Sequence, residues 1–176
     1  MTDVPRPRTP EGNPHRIVLG IDPGTQVLGY GAVVLRQDGP RLLAAGVLRA
    51  PRTADVPTRL GWLRVELDDL LDRLRPTVVV VEQAFAGKNP QSALRLGEAR
   101  GVVLACAATR VAEVVQYAPA EAKRSLVGNG AADKHQVAQM VAAELGLDEP
   151  PRPEDATDAL AMALTYVHRA RVPGRL

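Results

Sequence analysis

Apolar residues in this chain occur either in short unbroken runs or at helical spacing. Five runs predict strands, at 17–21, 28–35, 42–48, 78–81 and 111–117. Helically spaced apolar residues predict helices at 57–75, 90–110, 119–126, 133–145 and from 154 or 155 to 169. Strands mixed with amphipathic helices in this way indicate an α/β domain.

The connections between the runs predict the order of the strands in one sheet. Asp38-Gly39 is a hairpin turn between strands 2 and 3, so the first three strands form an antiparallel meander. The helix at 57–75 links strands 3 and 4 by a crossover, which is right-handed in nearly all sheets. Because the meander already lies on one side of strand 1, we expect strand 4 on its other side and parallel to it.

Two acidic residues end the strands that this order makes neighbours. Asp22 ends strand 1, directly before the Pro23-Gly24 turn, and Glu82 ends strand 4. Open sheets of parallel strands form their sites at the carboxyl ends of strands, so the two carboxylates should lie side by side. The alternative for Asp22 is that it only begins the turn, since aspartate is favoured there.

A second pair of acids lies in the last predicted helix. Asp155 and Asp158 are three residues apart and therefore share one face. Acids in a first helical turn also complement the helix dipole, and Asp155 could be an N-cap, so a purely structural role stays open. The rest of the helix is apolar (ALAMALTYV), which favours packing on the sheet with Asp158 carried inward.

Four converging carboxylates would repel one another and raise their own pKa values unless cations lay between them. Oxygen ligands favour magnesium or manganese over zinc. Two such ions about 4 Å apart can activate a water molecule and stabilise the leaving oxygen of a phosphodiester. The histidines do not form a competing site, because His15 lies in the N-terminal extension and we expect His135 and His168 at helix surfaces.

Composition limits the remaining possibilities. With 176 residues, 45% of them hydrophobic, the chain fits one folded domain at 16–171. Residues 1–15 hold four prolines and are predicted to be a flexible extension, and 172–176 a short tail. No run approaches the roughly 20 apolar residues of a membrane span and no secretory signal is visible, which favours a cytoplasmic protein. The net charge of +2 permits nucleic-acid binding without indicating it, and Cys106 is predicted to be a buried thiol.

Four motifs, in this order and spacing, resemble the RuvC family of Holliday junction resolvases: GIDPGTQVLGYG, EQAFAGKNPQSALRLGEARG, GNGAADKHQV and EDATDALAMAL. The resemblance implies a ribonuclease-H-like α/β fold, with a five-stranded mixed sheet in the order 3-2-1-4-5 and helices on both faces. It also implies an endodeoxyribonuclease that resolves four-way DNA junctions in recombination and repair. Two symmetric metal-dependent cuts would leave 5′-phosphate and 3′-OH ends.

The resemblance assigns roles to individual residues. Asp22, Glu82, Asp155 and Asp158 match the family's ligands for two Mg²⁺ ions, with Mn²⁺ plausible. Asp155 stands where some relatives carry histidine, which leaves the preferred metal open. A second departure is Leu28, in place of the small polar residue expected before Gly-Tyr-Gly, which should affect packing rather than chemistry.

Further positions match DNA-contacting residues of the family. Phe85 corresponds to an aromatic that stacks on opened bases, although a core residue that caps strand 4 is the alternative. Lys123 and Lys134 match lysines near the scissile phosphate, with Lys134 as the electrostatic stabiliser. Without the family, both would be read as surface groups. The residues that begin the helix after strand 4 suit a DNA backbone, Arg95 being equally compatible with a surface charge: Lys88, Asn89 and Arg95.

The resemblance implies partners as well as a substrate. The family acts as a homodimer, because two symmetric cuts need a two-fold enzyme. Residues 96–108, apolar and rich in small side chains, are a candidate for part of the interface, although burial under their own sheet explains them nearly as well. The branch-migration proteins RuvA and RuvB would act on the same junction.

Three other readings stay open. Actin-like ATPases and sugar kinases share an Asp-x-Gly-Thr turn like that of Asp22, Gly24 and Thr25, but they need two such domains. A ribonuclease-H-like enzyme that processes RNA is a nearer rival. A junction-binding module without activity would have no use for four acids.

Overall fold

Five strands and five helices make up the part of the chain that the computed structural model describes, which is residues 16–83, 89–111 and 113–170. In chain order these elements are β1 (Ile17–Asp22), β2 (Val27–Arg36), β3 (Gly39–Arg49), α1 (Val56–Leu74), β4 (Val78–Glu82), α2 (Pro90–Arg110), β5 (Glu113–Tyr117), α3 (Pro119–Val127), α4 (Lys134–Leu145) and α5 (Glu154–Ala170).

The strands form one mixed sheet in the order β3-β2-β1-β4-β5, which confirms the predicted order. β1 pairs antiparallel with β2 and parallel with β4, and β5 is parallel to β4. Ile21 is the register partner of Val81. The next residues along the two strands, Asp22 and Glu82, therefore end neighbouring strands at the same edge of the sheet.

Alternate side chains of the strands build a separate core on each face of the sheet. Val18 packs with the apolar residues of α3, α4 and α5 on one face. Leu19 and Ile21 pack with α1 and α2 on the other. This division confirms helices on both faces. Leu28 is fully buried in the second core, and Cys106 is 5% exposed there, with the pKa of its thiol raised to about 11, chiefly by burial.

Glycines let α5 lie directly against the first two strands. A Cβ at Gly20 of β1 would stand 1.8 Å from the carbonyl oxygen of Ala159, and one at Gly31 of β2 would stand 2.4 Å from Cγ of Leu160. Neither distance leaves room for a side chain. The first turns of α5, which carry the two predicted aspartates, are thus held close to the carboxyl end of β1.

Most predicted boundaries are correct within one to three residues, and two differences have clear physical reasons. β5 begins at Glu113 rather than 111, because Val111 closes α2 with its N–H donating to the carbonyl of Ala107. Asp133 precedes α4 as its N-cap, and its side chain accepts a hydrogen bond from the N–H of Gln136.

The two histidines on helices differ in exposure. His135 is exposed, but the His168 ring lies half-buried between α3 and α4. Its Nδ1 is 3.0 Å from the carbonyl of Ser125 and its Nε2 is 2.6 Å from Glu144. No helix within the described ranges has the length and apolar character to cross a membrane. The predicted extension at 1–15 and tail at 172–176 lie outside the described residues.

We predict that Gly20→Ala destabilises the fold while Gly61→Ala does not. The Cβ at position 20 would collide with α5 backbone, and overpacking of this kind costs roughly 1–3 kcal/mol or more. Gly61 lies on the exposed side of α1 with nothing within 4 Å, so alanine there should add about 0.5–1 kcal/mol of helix stability. Urea unfolding measures both. Equal effects at the two positions would contradict the close approach of α5 to β1.

Candidate active site

The four acids singled out in the sequence meet at the carboxyl edge of the sheet. The pKa of Asp22 is raised to about 7, first by burial and then by the negative charges of Glu82, Asp158 and Asp155, in that order. These residues come from β1, β4 and the first turns of α5. The structure therefore brings together the carboxylates whose convergence was predicted.

Asp22 and Glu82 share a hydrogen bond between their carboxyl groups. The contact raises the pKa of Asp22 and lowers that of Glu82, as expected when two adjacent carboxyl groups share one proton. The net pKa of Glu82 is still raised, first by burial and then by the charge of Asp158. Two adjacent carboxyl groups thus behave as a proton-sharing pair when no cation lies between them.

Lysine supplies the positive charge nearest to the acids. The Nζ of Lys134 lies 3.0 Å from Oδ2 of Asp158 and 4.0 Å from Glu154, and the hydrogen bond to Asp158 raises the pKa of the lysine. Lys134 is the first residue of α4, where Asp133 and Gln136 form a reciprocal capping box. This cap holds the start of α4 beside the start of α5.

Lys123, on α3, completes the cationic side of the site. Both lysines lower the pKa of Glu82 by their charge. Glu82, Asp158 and the two lysines line a pocket of about 210 Å³. Its remaining walls are apolar and come from α3, α4 and α5: Pro119, Ala122, Val137, Ala161 and Met162.

The chemistry of this site fits a hard divalent cation. All four acids offer oxygen atoms alone. Burial and then nearby negative charge raise the pKa values of Asp22 and Glu82, and a divalent ion would relieve that repulsion. Among residues 16–83, 89–111 and 113–170, however, no group of three or more His, Cys, Asp or Glu side chains is already arranged to hold an ion. The carboxylates instead pair with one another and with Lys134.

The start of α2 has a more structural character than the sequence indicated. Asn89 is the N-cap of α2, and its side chain accepts hydrogen bonds from the N–H groups of Gln91 and Ser92 at 3.0 and 3.5 Å. Arg95 pairs with Glu98 at 3.0 Å on the same helix. DNA binding by Asn89 and Arg95 remains a prediction. Two further candidates, Phe85 and Lys88, lie outside the described residues.

Sequence reasoning missed Arg100 of α2. Its Nε donates to the main-chain carbonyl of Glu82 at 3.3 Å, and its terminal amino group donates to the side-chain oxygen of Gln116. A basic residue between the apolar positions Ala99 and Val103 was the available signal, because it implies a polar partner close to the buried face.

Known proteins resemble this chain over most of its length. Residues 18–166 match the protein-family model described as "Crossover junction endodeoxyribonuclease RuvC". The protein of that name from Alkalilimnicola ehrlichii is 46% identical over 159 residues, which cover 90% of this chain and 95% of the relative.

Two solved structures from Thermus thermophilus have the same fold. One, a RuvC structure, is 38% identical with a TM-score of 0.79, and the match covers 88% of this chain and 95% of the T. thermophilus chain. The other, RuvC in complex with a Holliday junction substrate, is 36% identical with a TM-score of 0.79. This match covers 89% of this chain and 96% of the T. thermophilus chain.

We predict that Asp22→Asn stabilises the metal-free protein, and increasingly so as pH rises from 3.8 to about 7. In the folded wild type the Asp22 carboxyl keeps its proton up to about pH 7, whereas in the unfolded chain it ionises near 3.8. Unfolding therefore releases a proton within this window, so the stability of the wild type falls as pH rises. Asparagine does not titrate and avoids this loss.

Urea unfolding of both proteins in EDTA, at intervals from pH 4 to pH 8, measures the difference. Taking the difference between the two cancels the titration of groups that do not interact with Asp22. The gap in the free energy of unfolding should widen up to about pH 7 and then level off. A gap that does not change with pH would mean that the folded protein does not hold the proton.

Proposed function

The chain belongs to the RuvC family of crossover junction endodeoxyribonucleases, and from that premise we propose that it resolves Holliday junctions by two symmetric phosphodiester cuts. The family is one of DNA-cleaving hydrolases. The observation that supports the assignment most directly is the meeting of Asp22, Glu82, Asp155 and Asp158 at one edge of the sheet. Cleavage would leave 5′-phosphate and 3′-OH ends.

Enzymes of this family are metal-dependent nucleases, and we assign the metal ligands to the four acids. Their oxygen-only donor set favours two Mg²⁺ ions, with Mn²⁺ as an alternative. Such ions, when bound, supply a nucleophilic water and offset charge on the leaving oxygen. The protein must present ionised carboxylates to such ions. This requires Asp22 to lose the proton that it shares with Glu82.

The two lysines provide the remaining electrostatic stabilisation. Lys134 is held 3.0 Å from Asp158 at the border of the acid cluster, where a scissile phosphate beside the acids would come within its reach. A fixed cation there stabilises the negative charge that develops during attack on phosphorus. Lys123, across the same pocket, is proposed to bind the phosphate backbone beside the scissile position.

We assign DNA contacts to the start of α2 and the segment before it. Asn89 is the N-cap of α2 and Arg95 lies further along the same helix, where a polar and a basic side chain suit a phosphate backbone. Phe85 is proposed to stack on a base opened at the crossover, and Lys88 to contact the backbone. The similar T. thermophilus protein has been solved with a Holliday junction substrate, which supports binding of the same DNA structure here.

Dimerisation through α2 is the proposed route to paired cuts. Ala99, Val103 and Ala107 of this helix are buried in the protein's own core. The opposite face forms an exposed stripe at spacings of three and four residues: Leu94, which is 60% exposed, Gly97, Gly101, Ala105 and Ala108. Small residues in such a stripe permit close packing of two helices across a two-fold axis. RuvA and RuvB are proposed to act on the same junction, in the cytoplasm.

We predict that the purified protein nicks a synthetic four-way junction at two symmetric positions when Mg²⁺ or Mn²⁺ is present. Linear duplex and RNA–DNA hybrid should stay intact. Asp22→Asn should bind the junction with unchanged affinity and lose nicking by at least about 10³-fold, because the acid cluster serves the chemical step. Gel-shift and cleavage assays on the same samples measure both.

The same assay separates this function from its rivals. Cleavage of the hybrid alone would identify an RNA-processing nuclease. Binding without any metal-dependent cleavage would identify a junction-binding module. Nicking that survives in Asp22→Asn would rule out the proposed site even if the junction were the substrate.

We also predict that Gly101→Glu converts the dimer to a monomer. A glutamate in the middle of the exposed stripe would place two like charges against each other at the proposed two-fold interface. Because nothing lies within 4 Å of a Cβ at this position, the folded subunit should tolerate the change. Analytical ultracentrifugation should show a monomer, and junctions should be nicked once rather than twice. A dimer that persists would place the interface elsewhere.

A further inference from the structure

Arg100 connects three elements at the carboxyl edge of the sheet. From α2, its guanidinium donates to the main-chain carbonyl of Glu82 at the end of β4 and to the side chain of Gln116 in β5. The arginine side chain is half-buried, so its hydrogen bonds are partly shielded from water. Both acceptors are neutral, so these contacts are hydrogen bonds that fix relative position, not ion pairs.

The hydrogen bond from Arg100 supplements incomplete strand pairing at the carboxyl end of β4. The register between β1 and β4 ends at the pair Ile21 and Val81, one residue before Glu82. On the other side, Glu82 is the partner of Tyr117, and the N–H of Gln83 donates to the Tyr117 carbonyl at 2.9 Å. Glu82 therefore has strand pairing on one side only. The Arg100 contact adds a constraint from the α2 face of the sheet.

Charge is not the main effect of Arg100 on the acid. The pKa of Glu82 is moved by burial, by Asp158 and Asp22, and by the two lysines. Arg100 contacts the carbonyl of the same residue, so it acts on the direction in which the backbone sends out the side chain. A charged donor bound to a carbonyl makes a stronger bond than a neutral one.

We propose that Arg100 is a positioning residue, which fixes the end of β4 so that the Glu82 carboxylate points into the acid cluster. The proposal rests on the proposed function in that Glu82 must act in catalysis. It also connects two parts of the molecule. α2 carries the candidate DNA contacts Asn89 and Arg95 as well as the exposed stripe, so Arg100 transmits the placement of α2 to a catalytic acid.

The test compares Arg100→Gln with Arg110→Gln. Arg110 is a matched control, because it also lies on α2 and makes two side-chain contacts, to Asp68 at 2.9 Å and Asp72 at 3.4 Å, both on α1. Both variants lose side-chain contacts between α2 and neighbouring elements, but only the contact made by Arg100 reaches Glu82. Arg100→Lys tests rescue, since its ammonium group can still donate to a single acceptor.

Four quantities are measured on the full-length protein: kcat, junction affinity, Mn²⁺ affinity and Tm. We expect Arg100→Gln to lower kcat for junction cleavage about 10- to 100-fold, because small displacements of a catalytic group have effects of this size. Junction affinity in EDTA should change less than about twofold. Mn²⁺ affinity, measured by isothermal titration calorimetry without DNA, should fall several-fold. Arg100→Lys should recover part of both losses, and Arg110→Gln should lower Tm alone.

Each contrary result has a definite meaning. Wild-type kcat and Mn²⁺ affinity in Arg100→Gln would overturn the proposal, as would equal losses in Arg110→Gln. If Arg100→Gln does not fold, Gln116→Ala removes the second acceptor and should lower kcat in the same direction by a smaller factor, and no change there would also overturn it. Glu82→Gln separates the two levels. If that variant cleaves normally, the proposed function has failed, whereas an inactive Glu82→Gln beside a fully active Arg100→Gln rejects only the positioning role.

Discussion

Close packing of α5 on β1 and β2 is the constraint on which the site depends. Gly20, Gly29 and Gly31 remove the side chains that would hold the helix away. Backbone of α5 fills the space beside Gly20 and Gly29, and the side chain of Leu160 fills most of it beside Gly31. Only with the helix at this depth do Asp155 and Asp158 come near the acids that end β1 and β4. The glycines therefore serve the chemistry although none of them is an acid or a base.

This packing has an electrostatic cost, because it gathers carboxylates where they are partly buried. The raised pKa values of Asp22 and Glu82 express that cost, and the shared proton and Lys134 reduce it. In the proposed function, these carboxylates would hold a divalent ion, whose charge would relieve the same repulsion.

Sheet order and strand ends could be predicted because they follow from local patterns and one handedness rule, which together placed Glu82 beside Asp22. The inward face of α5 could only be suggested, since Asp155 and Asp158 suit a first helical turn equally well. The cap at Asn89 was missed because a polar residue before a helix also suits DNA. Arg100 could be noticed as a basic residue beside buried positions, but its acceptor could not be predicted, because it is a main-chain carbonyl 18 residues away.

If two subunits pair through α2 as proposed, the position of this helix would link assembly to the acid cluster. Its buried face packs on the sheet, its exposed stripe is available to a second subunit, and its first turns are available to DNA. Arg100 lies between these surfaces and the end of β4. A subunit that holds the junction and its partner correctly would therefore also hold Glu82 correctly, because one rigid helix bears on all three. Under the proposed role of Arg100, a shift of α2 would also displace the end of β4, so assembly and cleavage would be coupled without a large movement of the acids.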